Sequence, residues 1–177
     1  MTSRFRAHVY CAVAVCLGAL VYANALDNPF VYDDLVHVVD NAALRTPGSL
    51  LPLLVTDRFR PLVNLSYALD YAVWELNPMG YHLTSMALHC LNVALFFFLC
   101  LGLLEDAARL NRGQRSAGID LFNPGRRRIL TSLTMATALA VHPLLSEGVG
   151  YISGRAEILC ATFFLLAFLG LRRSLLG

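Results

Sequence analysis

The sequence predicts an all-α membrane protein with about four transmembrane helices and further amphipathic helices on its outer face. Three observations lead there. Apolar residues make up 57% of the 177-residue chain and charged residues only 15%, where a soluble domain carries about 25% charged residues. Four long apolar runs are set apart by polar segments. All 14 basic residues are arginines, shared unevenly among those segments. A mean hydropathy of +0.59 with a net charge of +2 also excludes a disordered chain, which needs low hydrophobicity and high charge.

A spanning helix needs about 20 mostly apolar residues. The first run, Ala7 to Leu26, meets this, and residues 1–26 are read as the first transmembrane segment. A rival reading is a signal peptide, because Arg4 and Arg6 precede the run and Ala23-Asn24-Ala25 has the small-x-small form of a cleavage site. The second run, Tyr81 to Leu104, gives a transmembrane helix within residues 80–104. The third, Ile129 to Leu145, is shorter. The fourth, Ile158 to Leu171, is strictly apolar for only 14 residues. Arg155 and Glu157 at one end and Arg172-Arg173 at the other lengthen it if they snorkel; otherwise it is re-entrant or buried. Residues 129–173 are read as a pair of helices joined by a turn.

Arginine placement orients the chain. With the N-terminus in the cytosol, Arg4, Arg6, Arg109, Arg112, Arg115, Arg126, Arg127, Arg128, Arg172 and Arg173 lie inside, and Arg45, Arg58, Arg60 and Arg155 outside. Cytosolic loops carry the excess of basic residues. The Arg-rich segment 105–128 is therefore a topology determinant that can also meet anionic headgroups. It lacks the aromatic interleaving of a nucleic-acid surface, so no nucleic-acid partner is expected.

The outer segment, residues 27–79, is acidic. From Pro61, Leu62, Leu65, Leu69, Ala72, Val73 and Leu76 recur at helical spacing, with Asn64, Asp70 and Glu75 interrupting the stripe. Pro61 suits a first helical position, and Tyr67, Tyr71 and Trp74 are interfacial residue types. The expectation is an amphipathic helix on the outer membrane surface, with a shorter one beginning at a Ser49 cap. The sequon Asn64-Leu65-Ser66 falls inside the longer helix, so glycosylation is not expected there. Cys11, Cys16, Cys90, Cys100 and Cys160 are odd in number, form no CxxC pair and lie in apolar runs, which fits small buried or lipid-facing side chains rather than disulfides or zinc ligands.

Three places could carry chemistry. Asp33-Asp34, in NPFVYDDLVHVVDN, are paired acids at the outer boundary behind an apolar stretch. Desolvation and mutual repulsion would fit one of them as a general base; a divalent-cation site or a solvated turn are the other readings. His37 and Asp40 follow at helical intervals but make only a weak metal cluster. In AVHPLLSEGVGYISGRAEIL, His142, Glu147, Arg155 and Glu157 gather at the same boundary. Arg155 could grip a phosphate through bidentate hydrogen bonds, or simply snorkel at a helix start. His82, His89 and Asn92 share a face of the second run, which fits interhelical hydrogen bonds or a channel lining. No P-loop, GxGxxG, HExxH or nucleophile elbow is present.

Tyr22-Ala23-Asn24-Ala25-Leu26, NPFVYDD, FRPLVNLSYALDY, NPMGYHLTSMALH and HPLLSEGVGYISGRAEIL, in that order, resemble the N-terminal part of the transmembrane and tetratricopeptide repeat-containing O-mannosyltransferases. The similarity runs from about Val21 to Arg173. Leu145, Gly148 and Gly150 depart from the family's usual residues. The resemblance implies a partial GT-C fold, a first helix that is retained rather than cleaved, and residence in the endoplasmic reticulum membrane, or the inner membrane of a bacterium. It implies a lipid-phosphate sugar, dolichyl phosphate mannose, as donor substrate, Ser or Thr of lumenal proteins as acceptor, and no metal. It also implies roles: Asp33 and Asp34 catalytic, Arg155 or else Arg60 at the donor phosphate, Glu147 and His142 orienting donor or acceptor. A complete module of this kind needs more helices than four. The sequence is therefore read as a portion of a mannosyltransferase; the alternative is a truncated, non-catalytic relative acting as an assembly partner.

Overall fold

The structure is a computed structural model that describes residues 3–45, 60–110 and 124–176. It is helical, with no strand among the described residues. The helices are α1 (Ser3–Val21), α2 (Pro61–Trp74), α3 (Pro78–Leu110), α4 (Pro124–Ala140), α5 (Leu145–Gly150) and α6 (Arg155–Leu176). Short 3-10 turns cover Ala23–Asp27, Ala42–Arg45 and Ile152–Gly154, and a π-helical turn covers Leu35–Val39. The expected helix capped by Ser49, together with Arg58, Arg112 and Arg115, lies outside the described residues.

Among the described residues, three segments are long and apolar enough to cross a membrane: Ser3–Val21, Pro78–Leu110 and Ile152–Leu175. The fourth run, short on apolar count alone, belongs to this set because helix continues through Arg155 and Glu157 at one end and Arg172-Arg173 at the other. The third run does not. Its helix, α4, has 17 residues, begins with Arg126, Arg127 and Arg128 in its first turns and stops at Ala140. The stop has a local cause: Pro143 disfavours helical backbone at His142. The sequence-based extension of this helix to Leu145 is thus corrected, with Leu145 opening α5 instead.

The chain divides into two compact units. The first comprises Met1–Leu20, Cys90–His142 and Thr162–Gly177. Its core joins Ala7, Cys11 and Ala14 of α1 to Val93 and Phe97 of α3 and Ile129, Ala136 and Ala140 of α4. Small residues recurring along one face of α1 let backbones approach closely, the packing mode that suits helices in lipid. Asp106 and Arg172 fasten α3 to α6 in this unit through paired hydrogen bonds, Nε to Oδ2 at 2.6 Å and one NH2 to Oδ1 at 3.0 Å.

The second unit comprises Val21–His89 and Pro143–Ala161. One apolar cluster holds Val38, Leu44, Val63, Tyr67, Tyr81 and Ile152, and another Tyr22, Val149 and Ile158. Here α2 forms where its periodicity placed it. Val63, Asn64, Tyr67 and Asp70 face inward, while Leu62, Leu69 and Val73 are exposed. Asn64 and Asp70 therefore do not interrupt the leucine stripe: they lie on the opposite, buried face. Burial of Asn64 at 4% exposure also agrees with the expectation that the sequon is not glycosylated.

Candidate functional site

The two neighbouring acids have opposite environments. Val38 is fully buried, and Asp34, one helical turn before it, shares its face. Asp34 is 0% exposed. Its Oδ1 accepts hydrogen bonds from the Ser153 backbone N–H at 2.8 Å and the Ser153 hydroxyl at 2.6 Å. Its Oδ2 accepts from the Val31 N–H at 3.2 Å. A buried carboxylate needs such partners, because each unsatisfied lone pair in a low-dielectric interior is costly. Asp33 is exposed; its backbone N–H donates to the Tyr151 hydroxyl at 3.1 Å, leaving its carboxylate at the surface. Asn28 donates to the Gly150 carbonyl at 3.3 Å. The NPFVYDD loop is thus attached to residues 150–153 at three successive points.

The turn on the other side of these bonds is tight. A Cβ on Gly154 would come within 2.7 Å of the Glu147 carbonyl oxygen and 3.0 Å of the Gly148 Cα. Both are backbone atoms, so only glycine permits this approach of α5 to the Ile152–Gly154 turn. Tyr67 of α2 donates its hydroxyl to the Ile152 carbonyl at 2.9 Å. Burial pushes the Tyr67 phenol up to about 12, and the nearby Arg155 cation offsets part of that rise.

Arg155 is 0% exposed and is the hub of this unit. One NH1 approaches Asp70 Oδ2 at 2.6 Å and donates to the Ser66 hydroxyl at 3.0 Å. Its Nε donates to the Ser85 hydroxyl at 3.2 Å, and NH2 donates to the Tyr81 carbonyl at 2.7 Å. The guanidinium lies 4.8 Å from the Tyr67 ring centroid and 5.9 Å from that of Tyr81. The second Asp70 oxygen accepts from Thr84 at 2.6 Å. All three guanidinium nitrogens are thus engaged within the protein. The alternative of a snorkelling helix start does not describe it.

The other expected residues are placed differently. Arg60, immediately before α2, and Glu147, in α5, are both exposed in the second unit. His142 is exposed and belongs to the first unit, where its N–H donates to the Leu139 carbonyl at 3.2 Å. His82, His89 and Asn92 are all buried, and His89 meets Tyr22 edge-on at 5.2 Å. Among the described residues no three His, Cys, Asp or Glu side chains are grouped to hold a metal ion.

Sequence reasoning saw Asp70 only as an interruption of the leucine stripe and passed over Ser66, Ser85 and Ser153; these four are the partners of Asp34 and Arg155. One signal was available. Asp70 falls in an otherwise apolar helical pattern, and a lone acid there calls for a buried cation.

No family model and no solved structure matches the chain. Curated relatives do. The chain is 32% identical over 166 residues to protein O-mannosyl-transferase TMTC3 of Homo sapiens, covering 86% of this chain and 16% of that protein. It is 31% identical over 182 residues to TMTC1 of Homo sapiens, covering 93% and 18%. It is 32% identical over 171 residues to TMTC4 of Homo sapiens, covering 87% and 22%. The chain spans about a fifth of the length of these relatives. Over about nine-tenths of its own length, the chain is thus a homologue of the TMTC protein O-mannosyl-transferases.

Proposed function

We propose that this chain is a membrane portion of a protein O-mannosyltransferase that uses dolichyl phosphate mannose at the lumenal face of the endoplasmic reticulum membrane. The observation that carries the reading is the division of labour in the acid pair: Asp34 is buried and fully bonded, and Asp33 presents its carboxylate at the surface beside it.

Asp33 acts as the general base. It takes the proton of an acceptor Ser or Thr hydroxyl as that oxygen attacks the anomeric carbon of mannose. The bond from that carbon to the phosphate oxygen breaks, the electron pair leaves with the lipid phosphate, and configuration inverts. Charge grows on the departing phosphate, so a nearby cation lowers the barrier. Arg60, exposed ahead of α2, is available for that role. Arg155, with every nitrogen engaged in the protein, positions α2 and the Ser153 turn that holds Asp34. Glu147 orients the substrate from α5. His142, which resemblance also assigned to orienting, lies two residues beyond the end of α4.

The test is transfer of mannose to a Ser/Thr acceptor peptide by the full-length protein in detergent. Asp33→Asn should lower the rate by about 10²–10⁴-fold with an unchanged thermal midpoint. Asp34→Asn should instead lower the midpoint, because its amide would set a donor against the Val31 N–H. Wild-type transfer by Asp33→Asn would sink the base assignment.

A further inference from the structure

Among the described residues, two that are not glycine have positive φ: Tyr32 at 48° and Glu75 at 52°. Glu75 is the C-cap of α2, with φ 52° and ψ −120°, and its N–H donates to the Tyr71 carbonyl at 2.9 Å, closing the last helical turn. Tyr32 ends no helix. It lies just before the turn that carries the acid pair, and its backbone is fixed from both sides. The Val31 N–H is bonded to Asp34, the Asp34 N–H donates to the Val31 carbonyl at 3.0 Å, and the Asp33 N–H is held by Tyr151.

A left-handed backbone is unfavourable for a bulky side chain and easy for glycine. Tyr32 does not offset that cost by packing, since it is 84% exposed. Tyr22, Tyr67 and Tyr81 of the same unit are buried. The loop therefore holds a strained backbone whose visible result is an aromatic ring turned outward next to the exposed Asp33. Strain of this kind collects where a ligand is met.

We infer that the Tyr32 ring forms a wall of the sugar subsite, stacking on the C–H face of the donor pyranose. This rests on the glycosyl transfer proposed above. A tyrosine serving only as an interfacial anchor would need no left-handed backbone. The ring contacts the sugar, and Asp33 serves the acceptor hydroxyl at the same carbon.

The test is equilibrium binding to the full-length protein in detergent of two probes, a short-chain polyprenyl-phosphate mannose and the same polyprenyl phosphate without sugar. Tyr32→Leu should weaken the mannose probe roughly fivefold and leave the sugar-free probe unchanged. Tyr32→Phe should bind both as wild type does. Tyr32→Gly should weaken the mannose probe similarly while its thermal midpoint stays at or above wild type, since strain is released. Equal weakening of both probes by Tyr32→Leu would place the ring against lipid and overturn the inference. So would unchanged binding of the mannose probe, or a wild type that does not prefer it. A Tyr32→Gly midpoint well below wild type would make the ring structural. Binding is read without turnover, so an active Asp33→Asn would defeat the base assignment and leave the subsite standing.

Discussion

The two compact units bury different chemistry. In the first, α1, α3 and α4 meet through Ala7, Ala14, Val93, Phe97 and Ala136, and its strongest ion pair, Asp106–Arg172, is partly exposed, at 14% and 27% of each side chain. In the second, the interior holds Asp34, Asp70 and Arg155, the only buried charged side chains among the described residues. An apolar core fixes helices by shape and tolerates small shifts. A charged core fixes them by direction, because a guanidinium whose partners move apart is left unpaired in a low dielectric. The unit that carries the candidate chemistry is the one held the second way.

The contrast can be broken by experiment. The largest stability effect should come from Arg155→Leu. Leucine leaves the Asp70 carboxylate buried without its cation, at a cost of about 3–5 kcal/mol, read by chemical denaturation in micelles. A loss like that of a surface substitution would mean that the charged core is not what holds this unit. Arg172→Leu should cost clearly less, and its effect should shrink as salt rises. Equal losses for the two arginines would erase the distinction. The smallest effect near neutrality belongs to Tyr67. Its phenol ionises at 10.0 when solvated and at about 12 when folded. The folded state resists ionisation that the unfolded chain accepts, so its contribution is complete below pH 10 and is lost as pH rises toward 12. Tyr67→Phe should flatten that alkaline limb of the stability profile; an unchanged limb would assign it to another group.

Much of the scaffold was legible because hydropathy reports on the solvent of each segment. Ser3–Val21 and Pro78–Leu110 follow from apolar length, and α2 from Pro61 and its leucine period. The interior of the second unit was not legible, for a physical reason. In water an apolar stripe marks the inside of a helix. It does not do so here: α2 turns Leu62, Leu69 and Val73 outward and Asn64 and Asp70 inward. The Arg155 partners come from α2 and α3, so no local spacing records them. For the acid pair, sequence placed both acids at one boundary but could not tell which is buried and which exposed. That difference depends on Ser153, 119 residues from Asp34 along the chain.

Ser153, Gly154 and Arg155 are consecutive, and each is committed to a different neighbour: Asp34, the Glu147 backbone and Asp70. The tripeptide is a spacer of fixed count. Inserting one residue after Gly154 would turn everything beyond it by about 100° around the α6 axis. Arg155 could then no longer address α2 while Ser153 still addressed Asp34. Segment length is therefore constrained here as strictly as residue identity. Relatives that tolerate substitutions along the HPLLSEGVGYISGR stretch should tolerate no insertion or deletion between the positions of Ser153 and Arg155.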